Sequence, residues 1–374
     1  SIIMKIDEVK PLQIISGIYS PFDRFNGSVV FCHNLYEEMI KKGCNINFIA
    51  LKTKDPLETS MKLTLLEGTL TGEADTPAFN KAVQDMKEAF QKILNNNPID
   101  IVHCQHMTFP PAVAFASMKV KQPLVITSHA SDIEFAKNNP IHAAYVRKSL
   151  DMADKVVLLS RKLIPLIEEI KPDMAFEKIA IIPLGVDEKF FISEKPLKEK
   201  DTFTILYSGR LTKEKGVEIL FDALRELPRT LLRIAGKGSY EEYLQNKAKD
   251  MHLEERINFL GFLGKKELKK EYQKADILVI PSQGIEGIPQ VCLEGMANYL
   301  PVIATDSGGI SEAVDDSALV VTRGKPEEII KAIIKLYKDP LLREELALKG
   351  RERVEQFRWE RISHLYLALF RSLL

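Results

Sequence analysis

Residues 280–309, IPSQGIEGIPQVCLEGMANYLPVIATDSGG, read as strand, loop, helix, strand and glycine turn. Glu286 and Glu294 stand eight positions apart in it, the first in the loop after the apolar run Ile277–Ile280, the second on the following helix. Val291, Leu293, Met296 and Ala297 supply that helix with its apolar residues, while Gly287 and Pro289 mark the turn and the helix start. In an open α/β sheet, ligands sit beyond the carboxyl ends of the strands. A loop carboxylate followed by a second one about two helical turns later is therefore expected to touch two parts of one elongated ligand.

The same rhythm runs through the chain. Strand runs are expected at 12–16, 45–50, 101–103, 124–127, 155–159 and 179–182, and again at 203–208, 231–235, 256–259, 276–280, 301–304 and 318–321. Short apolar strands alternating with helical patterns predict a parallel sheet with helices on both faces, once per half. A chain of 374 residues is long for one core and suited to two domains. The polar segment 192–202, ISEKPLKEKDT, has no periodicity and places the boundary near Lys195. The expected domains are thus 1–194 and 195–357, followed by a helix at 358–374 that either crosses back to the first domain or ends the second. The segment from Leu51 to Thr76 shows no assignable pattern.

Formal net charge is zero, so no global attraction to nucleic acid is expected. The basic run Lys265, Lys266, Lys269 and Lys270 alternates with Glu267 and Glu271, as on a solvated helix face. Contact of that run with an anionic lipid surface gains no support from the charge balance. Four cysteines, Cys32, Cys44, Cys104 and Cys292, at irregular spacing fit reduced thiols and a cytoplasmic setting. No signal peptide or membrane-spanning stretch is read in the sequence.

After the strand run FTILYS comes GRLTKEKG, residues 209–216, and then the helical run 217–227. A strand, a glycine turn and a helix start are expected to offer backbone N–H groups to an anion, with Arg210 and Lys215 at the mouth. The alternative is a solvated basic turn. Gly236-Lys237-Gly238 is too short for a dinucleotide fingerprint and serves equally as a plain strand-to-helix turn. In the first half, Asn26 is a candidate cap, and Gly27 would let backbone approach a ligand. His129 follows the strand run LVITS, at a carboxyl end that faces the expected interdomain cleft. Asp132 would orient His129, contact a substrate or cap a helix. The cluster VHCQH, 102–106, invites a metal reading, but structural sites draw ligands from separate segments, and a buried strand end is the better account. His106 is a candidate for the acceptor side.

E-x7-E with G-x-P between the carboxylates, then a buried strand and S-G-G, resembles the retaining glycosyltransferases of family 4, as does the G-R-L-x-x-x-K-G element. The resemblance covers nearly the whole chain, with departures at Ser28, where the family often has a second glycine, and at Leu184, where it more often has asparagine. It implies a GT-B fold, an α/β architecture of two doubly wound, Rossmann-like domains facing across a cleft. It also implies transfer of a sugar, commonly a hexose, from a nucleotide diphosphate donor to a hydroxyl acceptor. Family habit points to UDP as carrier, with GDP and ADP open. By the same resemblance Arg210, Lys215 and the amides of Gly287 and Ile288 hold the diphosphate. Glu294 holds the ribose, Glu286 the sugar hydroxyls, Gly236 and Gly238 border the nucleotide, and His129 lies near the reaction centre. No D-x-D occurs, so no divalent metal and no other cofactor is expected, the two cations neutralising the leaving group instead. Other readings stay open: a nucleotide-sugar epimerase or another GT-B enzyme, and a non-catalytic nucleotide-sugar binding protein. The acceptor and the sugar are not legible.

Overall fold

The computed structural model describes residues 10–198, 201–284 and 289–374. Among them the chain forms two parallel sheets. The first has the order β3-β2-β1-β4-β5-β6-β7. Its strands are β1 (Gln13–Pro21), β2 (Asn45–Leu51), β3 (Lys62–Leu66), β4 (Ile101–Gln105), β5 (Leu124–Thr127), β6 (Lys155–Leu158) and β7 (Ile179–Ile181). The second has the order β10-β9-β8-β11-β12-β13. Its strands are β8 (Phe203–Ser208), β9 (Thr230–Ala235), β10 (Ile257–Gly261), β11 (Ile277–Ile280), β12 (Val302–Thr305) and β13 (Leu319–Val321). Every residue of β8, β11 and β12 is buried, as strands covered by helices on both faces require.

Both sheets reverse their winding next to the first strand of the sheet. The switch points lie between β1 and β4 and between β8 and β11, which are the places where open α/β sheets bind ligands. β3 escaped the sequence pattern. It is a half-exposed edge strand whose residues pair with β2 across a long loop, Asn47 against Lys62, so its only strong determinant is a distant partner.

Two compact units result, and their boundary departs from the expected one. The first ends at Gly185 and takes in Trp359–Leu374; the second is Val186–Arg358. The segment just after Gly185 already belongs to the second core: Val186 and Phe190 are buried there with Leu293 and Met296, and the Phe190 ring lies 5.8 Å from that of Tyr272. The described residues of the polar stretch that suggested Lys195, 192–198 and 201–202, form no helix or strand and lie within the second unit. The helix Trp359–Arg371 packs on the first unit. Ile362, Tyr366, Leu367 and Phe370 enter the same apolar cluster as Leu35, Tyr36 and Phe48. Lys42, which caps the C-terminus of the facing helix Gly27–Lys41, ties the C-terminal helix down, with Nζ 2.6 Å from Ser363 Oγ. No helix among the described residues is long and apolar enough to cross a membrane.

Candidate active site

Beside the switch point of the second unit, the carboxyl ends of β8, β9 and β10 are laced together. Gly209 N–H donates to Ala235 O at 3.0 Å, Leu211 N–H to Lys237 O at 2.9 Å, and Gly236 N–H to Gly261 O at 2.8 Å. The closeness of these backbones explains the glycines. Gly236 has φ +141°, and a Cβ on it would sit 1.7 Å from the Gly209 carbonyl oxygen; on Gly238 it would sit 2.2 Å from Leu211 O. The Gly-Lys-Gly turn is therefore a splice between the β8 and β9 loops, beyond what a plain turn demands. Gly209, Arg210, Gly236, Lys237, Phe262 and Leu268 line a cavity of about 290 Å³ there.

Arg210 is exposed on the β8 loop, and its carbonyl accepts the Tyr207 hydroxyl at 2.7 Å. Lys215 is half-buried at the end of a short 3-10 turn, Lys213–Lys215, and the helix proper begins only at Ile219. The helix thus starts two residues later than the expected run 217–227. The N–H groups of Lys215, Gly216 and Ile219 are donated to Thr212, Lys213 and Gly216 carbonyls. The loop is joined to the one after β11: Gln283 N–H donates to Glu214 O at 2.7 Å.

That second loop leads to Glu294 on the helix Gln290–Ala297. Tyr272, from the helix Lys265–Lys274, donates its hydroxyl to Glu294 Oε2 at 2.6 Å. Burial pushes the Glu294 carboxyl up to about 7, against the opposing pull of the Tyr272 hydroxyl and Lys265. Glu286, Gly287 and Ile288 lie outside the described residues. The basic run is a largely solvated face, as read: Lys265 pairs with Asp187 at 2.5 Å and Lys270 with Glu267 at 3.5 Å. Glu271 departs from that reading. It is buried and held by Arg233 through two bonds of 2.6 and 2.9 Å.

In the first unit, Asn26 caps the helix Gly27–Lys41, its Oδ1 accepting from Ser28 and Val29 N–H at 2.9 and 3.2 Å. Gly27 faces open space, with nothing within 4 Å of a Cβ built on it. His129 follows β5. Its Nε2 lies 2.8 Å from Gln105 Oε1, and the rings of Phe31 and His106 each stand 4.6 Å away. Burial, with His106 beside it, holds the imidazole well below its ordinary pKa, so it is neutral. Asp132 neither orients His129 nor caps a helix. It accepts from Ser128 Oγ at 2.7 Å and Met107 N–H at 2.9 Å, pinning the β4 and β5 loops to each other. His103 is buried between Tyr36 and Thr127, and burial drives it down to about 3. No group of side chains among the described residues is arranged to hold a metal ion.

Residues 25–190 match the family model described as Glycosyltransferase Family 4, and residues 188–353 the one described as Glycosyl transferases group 1. The chain belongs to the group 1, family 4 glycosyltransferases. It is 28% identical over 278 residues to an uncharacterised glycosyltransferase of Methanocaldococcus jannaschii, covering 72% of this chain and 75% of that one. Among solved structures it is similar to sucrose-phosphate synthase from Thermosynechococcus elongatus, with a TM-score of 0.78, 21% identity and coverage of 97% and 99%. It is also similar to Anabaena HepE in complex with UDP, with a TM-score of 0.75, 18% identity and coverage of 97% and 100%. The fold is GT-B.

Two contacts of this glycosyltransferase were invisible in its sequence. Tyr272 lies 22 positions from Glu294 in a run that reads as solvated, and Gln105 lies 24 positions from His129. Period-two alternation along β4 gives only the face on which Gln105 lies. His103 and Gln105 share one face while Cys104 enters the cluster on the other.

Proposed function

We propose that this glycosyltransferase moves a hexose from a UDP-sugar to a hydroxyl acceptor, with retention at the anomeric carbon and without a divalent metal. The observation that carries the reading is the laced switch point of the second unit. Arg210 and Lys215 stand on one loop bonded to another, and that other leads to the half-buried Glu294. Structures of the similar HepE with UDP and with UDP-glucose support the donor class.

In this reading Arg210 and Lys215, with the amides of Gly287 and Ile288, neutralise the diphosphate as charge develops on it. Glu294 accepts the ribose hydroxyls, Glu286 the sugar hydroxyls, and Gly236 and Gly238 leave room for the nucleotide. Gly27 allows backbone approach on the acceptor side, and His129 is assigned to the donor sugar. A covalent route would need a carboxylate at the anomeric carbon. The proposed route is same-face departure and attack, in which the leaving phosphate takes the acceptor's proton.

The Glu294 carboxyl makes the reading testable by pH. Ribose hydroxyls donate to the carboxylate, so a carboxyl raised to about 7 must lose its proton before binding. Affinity for UDP-glucose is expected to rise from pH 6 to pH 8, with roughly tenfold weaker binding at pH 6 than at the plateau. The diphosphate diester does not titrate in that window. Glu294→Gln should flatten the profile and weaken UDP and UDP-glucose alike. Glu286→Gln should spare UDP and reduce donor affinity or turnover. A flat wild-type profile in titration calorimetry, or equal loss of UDP binding in both variants, would show the roles misassigned. Product analysis in the same assay separates transfer from epimerisation and from binding alone.

Metal independence is tested separately. Turnover is expected to persist in EDTA; loss on chelation restored by Mn²⁺ or Mg²⁺ would overturn the assignment of neutralisation to Arg210 and Lys215.

A further inference from the structure

We propose that Gln105 is a positioning residue that fixes His129 as its Nε2–H tautomer and turns an unprotonated Nδ1 toward the substrate. This rests on the reading of His129 as a donor-sugar contact. The last residue of β4, Gln105 is fully buried, and its side-chain carbonyl lies 2.8 Å from His129 Nε2. A carbonyl oxygen only accepts, so the nitrogen facing it carries the proton.

Behind, the amide nitrogen faces two hydroxyls. Gln105 Nε2 donates to Tyr36 Oη at 3.0 Å and approaches Ser16 Oγ at 3.4 Å. The Tyr36 hydroxyl is shared with His103 Nδ1 at 2.7 Å, His103 Nε2 with Thr127 Oγ1 at 2.8 Å, and Thr127 Oγ1 with Tyr366 Oη at 3.2 Å. A buried hydrogen-bonded chain thus runs from His129 through the sheet to the C-terminal helix. Phe31 holds the other side. Its ring stands edge-on to His129 at 4.6 Å and is backed by Trp359 at 5.3 Å.

A neutral imidazole with its Nε2–H engaged offers one remaining function, the Nδ1 lone pair. It accepts a hydrogen bond from a hydroxyl and cannot donate one. Gln105 thereby makes His129 a reader of a donating sugar hydroxyl.

The tautomer is read directly by ¹⁵N NMR of the full chain labelled at histidine. His129 should show a protonated Nε2 and an unprotonated Nδ1 in the wild type. Gln105→Met, which removes the acceptor, should give a mixture of tautomers. Its kcat should fall at least tenfold while UDP affinity stays at the wild-type level. Gln105→Glu keeps an acceptor and should restore the single tautomer and part of the turnover. A wild-type His129 protonated at Nδ1 overturns the proposal whatever the variants do, and so does a Gln105→Met protein that keeps the Nε2–H form. Unchanged turnover in His129→Ala would instead refute the sugar contact itself, leaving the tautomer result as a separate observation.

Discussion

Replacing Arg210 or Lys215 with alanine is expected to remove about 2–4 kcal/mol of transition-state stabilisation, roughly a 30- to 900-fold loss in kcat/KM. The diphosphate leaving group gathers negative charge as the glycosidic bond breaks. The described residues offer it Arg210, exposed at the mouth of the cavity beside the switch point, and Lys215, one turn further along the same loop. Both variants should stay folded, because the loop is held by backbone bonds and these side chains bury little apolar area. Arg210→Lys should recover only part of the loss, since an ammonium cannot make the paired bonds of a guanidinium. Wild-type UDP affinity in calorimetry together with normal turnover would sink the diphosphate assignment.

Gly236→Ala should be the most damaging single methyl in the second unit. At φ +141° the added Cβ would meet the Gly209 carbonyl oxygen at 1.7 Å, a backbone atom that cannot step aside. Relief requires the β8 and β9 loops to part and break the Gly209 N–H bond to Ala235. A cost of about 3 kcal/mol or more is expected, or roughly 6–12 °C in the melting temperature of that unit, together with loss of UDP binding. Gly27→Ala is the matching control, since nothing lies within 4 Å of its Cβ. It should leave stability unchanged or slightly higher. A loss of turnover in Gly27→Ala at full stability would show that substrate approaches the backbone there. Calorimetric melting of both variants decides the comparison, and a wild-type melting temperature for Gly236→Ala would overturn the account of the laced loops.

Strand identity was legible because a buried parallel strand writes itself as a short apolar run, and β5 and β8 match their expected bounds to the residue. β3 was not legible, since half its character as an edge strand comes from β2. The Asn26 cap was readable because a cap is a contact across two or three residues. The bond from Met107 to Asp132 was not legible because it spans 25 residues. The family was legible through the resemblance carried by E-x7-E and G-R-L-x-x-x-K-G; the roles given to Arg210, Lys215, Glu286 and Glu294 stand on that resemblance.

The sequence by itself determined the two parallel α/β units and, through its motifs, the family, because these rest on local periodicity and fixed short spacings. Tertiary structure alone decided where the units divide, which core takes the C-terminal helix, and which partners set the chemistry of Glu294 and His129. Burial and hydrogen bonding shift a carboxyl or choose a tautomer only when distant segments meet. Tyr272 and Gln105 reach their partners through the fold, and no pattern along the chain records that.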